Sequence, residues 1–258
     1  MNRKITIKKL LLYFALLLFF IIIISALVIL YLNQQLQKRG EQTFYKSFEI
    51  AIPNQYSING IDVSKHQSYV YWNSVKNMLI DRINIDFAFV KATEGVDHKD
   101  EMFERNWKLL DENKITRGAY LYFIPLNSGR LQAKNFINNV QLKRGDLPPA
   151  IDIEQTFGLS YNELKLKLKE CLHTLESHYK VKPIIYTYTE FYNKYLGEDF
   201  NEYPLWVAHY TEEKKPNIKR DWVFWQHSNT GRVNGITEKV DFNVFNGDSL
   251  QFQNLLLN

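Results

Sequence analysis

The sequence predicts an α/β protein, a TIM-like (β/α) barrel of eight strands that follows an N-terminal transmembrane helix. Three observations predict this class. Residues 10–32 form one uncharged apolar run, strand-type and helix-type runs alternate from Ile58 onward, and only loop-type segments separate the last three strand-type runs. Eight strands in about 200 residues favour a closed barrel that lacks its last helices. An open doubly wound sheet is the alternative, but no Gly-rich phosphate loop follows the first strand.

Length and composition exclude several classes of protein. The chain has 258 residues, of which 45% are hydrophobic, with 11 Gly and 7 Pro, so it is neither disordered nor collagen-like. Its single cysteine, Cys171, excludes an internal disulfide and a thiolate zinc cluster. The net charge is +4, but residues 1–39 carry six basic side chains and no acidic one, which leaves the remainder slightly acidic. We therefore expect no nucleic-acid partner.

The apolar run at the N-terminus predicts a signal anchor. As a helix, residues 10–32 would span roughly 34 Å, enough to cross a hydrocarbon core of about 30 Å. Four basic residues precede this run, so the positive-inside rule leaves residues 1–9 in the cytoplasm and the rest outside. A cleaved signal peptide is the alternative, although its apolar region would be only about 7–15 residues long. Residues 33–57 then read as a polar tether, and residues 58–258 as the exported domain of a single-pass protein of the cell membrane.

Eight runs of the exported part are typical of strands. Two helices have clear beginnings, because Ser128 and Ser160 can each cap a stripe of apolar residues at helical spacing. Weaker helical patterns cover three segments, 72–80, 101–113 and 189–196. The predicted strands are 58–63, 85–92, 118–123, 150–154, 183–188, 205–210, 222–227 and 240–243.

The most informative run is Ala150-Ile151-Asp152-Ile153-Glu154. Residues two apart on a strand share a face, so Asp152 and Glu154 point into the barrel while the two isoleucines meet the helix layer. Their Cα atoms would be roughly 6.6–6.8 Å apart, and two like charges at that distance raise the pKa of one group. A protonated acid beside an ionised carboxylate is the equipment of glycoside hydrolysis. A structural pair bound to Arg or to backbone amides is the alternative.

Two further acids have the same position in their strands. Asp62 lies between Ile61 and Val63, and Asp241 lies between Val240 and Phe242. Because the first and last strands of a closed barrel are neighbours, we expect Asp62 and Asp241 side by side near the other two acids. Four inward acids at one mouth are costly for folding unless a site needs them. The alternative is that both are turn or cap residues.

Aromatic residues supply the second part of the predicted site. Tyr120 and Tyr122 share one face of their strand, Trp206 and Tyr210 share one face of theirs, and Gln226 ends another strand. Sugars bind on aromatic platforms with a few polar groups that fix their orientation. Each aromatic taken alone is more often a core residue than a ligand contact. The six histidines lack the spacing of metal ligands, so we expect neither a metal ion nor another cofactor.

Taken together, these runs resemble glycoside hydrolase family 25, the N-acetylmuramidases or lysozymes that cut peptidoglycan. The resemblance covers about residues 58–246, in family order, and departs at Leu121, where the family often has His. It is carried by Gly60-Ile61-Asp62-Val63-Ser64, Lys91-Ala92-Thr93-Glu94-Gly95, Gly118-Ala119-Tyr120, Asp152-Ile153-Glu154, Leu205-Trp206-Val207-Ala208-His209-Tyr210 and Val240-Asp241-Phe242-Asn243.

The resemblance implies an irregular barrel of eight strands and about five helices. It also implies that Glu154 is the general acid, that Asp152 assists it, and that Asp62, Asp241 and Glu94 belong to the site. We expect a monomer that binds peptidoglycan glycan strands and cleaves the β-1,4 bond between N-acetylmuramic acid and N-acetylglucosamine. Two alternatives remain open: a membrane-tethered barrel that binds glycan without cleaving it, and a chitinase-like hydrolase of another N-acetylhexosamine polymer.

Overall fold

A computed structural model describes residues 2–39, 42–212 and 214–258. Two residues of the predicted tether, Gly40 and Glu41, lie outside the described residues, as does Met1 of the predicted cytoplasmic tail. The long first helix, α1, runs over Asn2–Arg39. Its segment Leu12–Asn33 is long and apolar enough to cross a membrane, and none of this segment is buried against the rest of the protein.

The remaining elements alternate along the chain, as the sequence predicts. A single helical turn at Lys65–Gln67 and a run of short turns over 192–200 supplement them. In chain order they are β1 (Gln42–Tyr45), β2 (Ile50–Pro53), β3 (Asn59–Val63), α2 (Trp72–Lys76), β4 (Phe87–Glu94), β5 (His98–Lys99), α3 (Phe103–Glu112), β6 (Thr116–Tyr122), α4 (Gly129–Asn139), β7 (Ala150–Asp152), α5 (Tyr161–Tyr179), β8 (Ile184–Tyr188), α6 (Thr189–Phe191), β9 (Leu205–Ala208), β10 (Phe224–Gly231), β11 (Val240–Phe245) and α7 (Ser249–Leu255).

Eight strands close into a barrel in the order β3-β4-β6-β7-β8-β9-β10-β11, and β11 returns to pair with β3. This confirms the predicted fold class and places the first and last strands side by side. One feature differs from a regular barrel: β11 is antiparallel to both of its neighbours. The reason is that β10 and β11 are joined by a short loop with no crossover helix, which allows only an antiparallel pairing.

Side chains on the two faces of the barrel form two separate apolar clusters. Ile61, Ile151 and Ile153 are fully or almost fully buried in the outer cluster, between the strands and the helices. Phe89, Trp206 and other large aromatics fill the barrel interior. The strict alternation along each strand therefore turns the acids that lie between these aliphatic residues toward the barrel axis.

The cap residues predicted for the two longer helices are confirmed. Ser128 accepts a hydrogen bond from the backbone N–H of Leu131 at the start of α4. Ser160 forms a reciprocal capping box with Glu163 at the start of α5. The two helices approach each other closely at Gly129, where a Cβ atom would lie 1.9 Å from the carbonyl oxygen of Lys167. Only glycine therefore fits at this crossing.

The segment predicted as a tether is structured over much of its length. Residues 42–53 form the antiparallel β1–β2 hairpin, and Phe48, Ile50 and Ile52 are buried in the outer cluster. Phe48 packs edge-to-face on Phe242 of β11, with ring centroids 5.3 Å apart, and its carbonyl accepts a hydrogen bond from the Arg232 backbone N–H. The segment predicted as a polar tether therefore contains a hairpin that is docked on the barrel. The hairpin packs on β10 and β11.

Candidate active site

All four predicted acids lie at one mouth of the barrel. Asp62 and Asp241 are directly opposite each other on β3 and β11, and Asp152 ends β7, two residues before Glu154. The mouth holds a cavity of about 270 Å³. Besides the four acids, four of the predicted sugar-contacting residues line it: Tyr120, Trp206, Tyr210 and Gln226.

The Asp62–Asp241 pair consists of two hydrogen-bonded carboxyl groups. Burial, followed by the charge of Asp241, raises the pKa of Asp62 well above its usual value. Burial likewise raises the pKa of Asp241, to about 6. Two carboxyl groups in hydrogen-bond contact are most stable when they share one proton, so the pair carries a single negative charge near neutral pH.

The Asp152–Glu154 pair is built in the same way but along one strand. Burial and the neighbouring Glu154 raise the pKa of Asp152 well above its usual value, and Lys91 on β4 opposes this rise. Burial also raises the pKa of Glu154, whose side chain is hydrogen-bonded to Asp152 and Tyr186. Asp152 is the more deeply buried of the two, and its Oδ1 atom has no hydrogen-bond partner among the described residues.

Below the acids, buried amides connect Asp62 to the aromatic residues. Oδ2 of Asp62 accepts hydrogen bonds from Gln226 at 2.8 Å and from Asn243 at 2.7 Å. The Gln226 carbonyl oxygen accepts the hydroxyls of Tyr186 at 2.8 Å and Tyr210 at 2.6 Å. Gln226 is thus a junction between the exposed aromatic side of the cavity and its deepest acid.

The floor of the cavity is aromatic. Trp206 is stacked on Phe89 with ring centroids 4.4 Å apart, and the rings of Tyr186 and Tyr120 meet it edge-on at 4.5 and 6.3 Å. Of the aromatic residues lining the cavity, Tyr210 has the greatest exposed fraction, 46%. The predicted aromatics therefore serve two purposes, because Trp206 and Tyr120 are core residues whose edges also reach the cavity.

Two predicted binding residues, Tyr122 and Glu94, do not line this cavity. Lys91 lies between them: its ammonium group is 2.6 Å from the Glu94 carboxylate and 4.8 Å from the centre of the Tyr122 ring. Although burial alone would raise the pKa of Glu94, Lys91 holds it below its usual value. Burial, aided by Asp152 and Glu154, raises the pKa of Tyr122 to about 12.

Sequence reasoning missed several residues of the site. Tyr186, Asn243 and Lys91 contact or oppose the predicted acids, and the signal for the first two was available. Tyr186 and Tyr188 alternate on β8 as Tyr120 and Tyr122 do on β6, and Asn243 follows Asp241 by two residues. Leu121, the departure from the family pattern, is fully buried in the outer cluster, away from the cavity.

The side chains that could bind a metal ion do not cluster in the described part of the chain. Within 2–39, 42–212 and 214–258, no group of three or more His, Cys, Asp or Glu side chains could hold a metal ion. The site can instead donate protons, because its paired carboxyl groups have raised pKa values and lie in an aromatic cavity open to solvent.

Paired carboxyl groups in an aromatic cavity at the mouth of a barrel are typical of a glycoside hydrolase. The model of glycosyl hydrolases family 25 matches residues 61–236, and the chain belongs to that family. It is a glycoside hydrolase of the lysozyme class.

Relatives and solved structures agree with this assignment. The chain is 46% identical to the Escherichia coli K12 protein YegX, over 81% of this chain and 76% of that protein. It is 34% identical to lysozyme M1 of Streptomyces globisporus, over 74% of this chain and 69% of that protein. A family 25 glycosyl hydrolase from Bacillus anthracis superposes with a TM-score of 0.72 at 28% identity, covering 84% of this chain and 98% of that structure. A lysozyme from Streptomyces coelicolor gives 0.70 at 32% identity, with 77% and 96% covered.

Proposed function

We propose that this protein is a membrane-anchored peptidoglycan hydrolase that cleaves the β-1,4 bond between N-acetylmuramic acid and N-acetylglucosamine. The observation that carries the proposal is the hydrogen-bonded Asp152–Glu154 pair in the mouth of a family 25 barrel. Binding a glycan without cleaving it requires no poised acid, so this pair favours catalysis over a purely binding role. The relatives named as lysozymes support peptidoglycan as the substrate.

Glu154 is the general acid in this mechanism. It is less buried than Asp152 and lines the cavity, so it is the carboxyl group of the pair that can pass the shared proton to a leaving glycosidic oxygen. The proton leaves with the glycosidic oxygen, so Glu154 becomes a carboxylate, while Asp152 is the ionised member of the pair before the step. The Asp152 carboxylate stabilises positive charge at the sugar by orienting the 2-acetamido group of the substrate as an internal nucleophile.

Asp62 and Asp241 keep the opposite wall of the cavity anionic. Their single shared charge raises the pKa of Asp152, because Asp62 is one of the groups that oppose its ionisation. Asp241, the more exposed of the two, can hydrogen-bond a sugar hydroxyl or a water molecule. The sugar rings also contact the aromatic side chains of Trp206 and Tyr210 and the amide of Gln226.

The full-length chain in detergent, incubated with purified peptidoglycan and separately with chitin, tests the reaction. New reducing ends at muramic acid support the proposal. Reducing ends from chitin alone would favour the chitinase-like alternative, and binding to either polymer without cleavage would favour a glycan-binding barrel.

The membrane part of the proposal depends on α1. Its segment Leu12–Asn33 is long and apolar enough to span a bilayer, and the flanking positive charge favours a cytoplasmic N-terminus. The catalytic domain then lies on the extracytoplasmic side, where peptidoglycan is found. Protease added to intact spheroplasts should degrade the barrel and leave an N-terminal reporter intact. Release of the chain into the soluble fraction without α1 would instead identify a cleaved signal peptide.

A further inference from the structure

The hydrogen bonds beneath the acids determine which oxygen of Asp62 can carry a proton. Oδ2 of Asp62 accepts two N–H donors, from Gln226 and from Asn243, at 2.8 and 2.7 Å. A carboxyl oxygen whose two lone pairs are both engaged by N–H groups has no place for a proton. Any proton that Asp62 holds therefore lies on Oδ1, and its hydrogen bond with Asp241 runs through that atom.

The orientation of Asn243 is fixed from below. Its carbonyl oxygen accepts the indole N–H of Trp206 at 2.7 Å. Since an indole N–H can only donate, the atom facing Trp206 must be the oxygen, and the NH₂ group must face Asp62. Gln226 is held less strictly, because its partners are two tyrosine hydroxyls that can either donate or accept.

Water cannot take over these contacts. Asn243 is fully buried, and Trp206, Gln226 and Asp62 have exposed fractions of 1%, 2% and 6%. Asn243 is also opposite Gln226 on the neighbouring strand, which places both amides on the same side of Asp62. Removing the Asn243 amide would leave both the indole N–H and one lone pair of Asp62 without a partner.

We propose that Asn243 is a positioning residue that directs the proton shared by Asp62 and Asp241 toward the cavity and sets the pH at which this pair becomes anionic. The inference rests on the proposed function of the site. The indole N–H of Trp206 fixes the orientation of the Asn243 amide. The Asn243 NH₂ group then keeps Oδ2 of Asp62 an acceptor, so the shared proton lies between Asp62 and Asp241. The pair therefore presents its single charge and its proton to the substrate in a fixed arrangement.

Several other ionisable groups face the pair and act on it as well. Asp152 and Glu154 from β7 and its following loop oppose its ionisation, and buried tyrosines surround it. Lys91 favours ionisation of Asp152 on the far side of the cavity. These groups are unchanged in Asn243→Leu, which adds no ionisable group, so a change in the pH profile of that variant reports on the loss of the amide. Asn243→Asp adds a carboxyl group of its own, whose charge acts on Asp62 in the same direction as the loss of the donor. The tyrosines and the remaining ionisable residue at the cavity are Tyr120, Tyr186, Tyr210 and His66.

The test compares the pH dependence of kcat/KM for the full-length protein with two variants, using purified peptidoglycan. Asn243→Leu removes the donor, and Asn243→Asp replaces it with an oxygen while still accepting the Trp206 N–H. Both changes make the Asp62 anion less favourable, so the acid limb should move to higher pH by about one unit. Asn135→Leu is the matched control, because Asn135 is also buried but donates only to the carbonyls of Gly95 and His98. It should lower Tm without moving the acid limb.

A second measurement is independent of turnover. With ¹³C-labelled aspartate, the carboxyl signals of Asp62 and Asp241 should titrate together in the wild-type chain, and at higher pH in Asn243→Leu, which adds no aspartate. Should both variants at 243 fail to fold, Trp206→Phe removes the indole N–H together with the five-membered ring, leaves Asn243 in place, and should shift the acid limb in the same direction by less. An unchanged limb and unchanged carboxyl titration in folded variants would overturn the role of Asn243. If the wild-type protein shows the predicted carboxyl titration but does not cleave peptidoglycan, the proposed function is overturned and the role of Asn243 in the pair is not.

Discussion

The sharpest test of the site is Glu154→Gln. Glutamine has the same length, and its amide can still bond to Asp152 and Tyr186, the two partners of the Glu154 side chain. The fold should therefore be preserved, while the proton for the leaving oxygen is lost. General-acid catalysis contributes roughly 10²–10⁴-fold, which corresponds to about 3–5 kcal/mol of activation free energy. The substitution also removes the largest charge that raises the pKa of Asp152, so any residual activity should extend to lower pH.

The assay measures new reducing ends from peptidoglycan with the full-length chain, at saturating substrate and across pH 4–8. Glu202→Gln is the matched control, because Glu202 is a surface residue whose carboxylate pairs with Lys182. It should retain wild-type rates. A Glu154→Gln variant with wild-type Tm and a rate within about threefold of wild type would refute the assignment of Glu154 as the acid.

Four further predictions address pH dependence and stability. The pH profile of kcat/KM should have an acid limb near the pKa of about 6 of Asp241 and should fall again at higher pH as Glu154, whose pKa burial raises, loses its proton; a rate that does not change between pH 5 and 7 would contradict the acid limb. The folded state binds the Asp241 proton more tightly than the unfolded state, so stability falls as pH rises from about 4 through about 6. Asp241→Asn should therefore raise the unfolding free energy at pH 7 by up to about 3 kcal/mol and leave it unchanged at pH 4, as measured by urea denaturation. Asp146→Ala breaks a buried ion pair with Arg117 at 2.8 Å and should cost about 3–5 kcal/mol of stability without changing kcat of the folded fraction. Phe48→Ala should cost a similar amount through the cavity it leaves on β11, and an unchanged Tm would show that the hairpin is not docked.

Local alternation was sufficient to predict the acids. Asp152 and Glu154 flank Ile153 on one short run, and a residue between two buried aliphatics on a barrel strand must point inward. Closure of the barrel then brings Asp62 next to Asp241. The exact register, in which these two residues are opposite each other, depends on the short β10–β11 connection and could not be read from either strand alone.

The sequence did not predict the β1–β2 hairpin, because its apolar residues are buried by contact with strands far away in the chain. Phe48, Ile50 and Ile52 are buried because the hairpin packs on β10 and β11, a contact between segments far apart in the chain. The last helix is a different case. Asp248 and Gln251 form a capping box at the start of α7, a local pattern that the sequence displays and that could have been recognised.

The docked hairpin also sets the reach of the enzyme. From Arg39 at the end of α1 to Gln42 at the start of β1 the backbone can extend at most about 11 Å, and α1 rises only about 9 Å beyond Asn33. A bilayer around α1 would thus hold the barrel within roughly 20 Å of the lipid headgroups, since Phe48 leaves the hairpin no freedom to swing away. With α1 in the membrane as proposed, this short connection would limit hydrolysis to the glycan strands nearest the membrane surface.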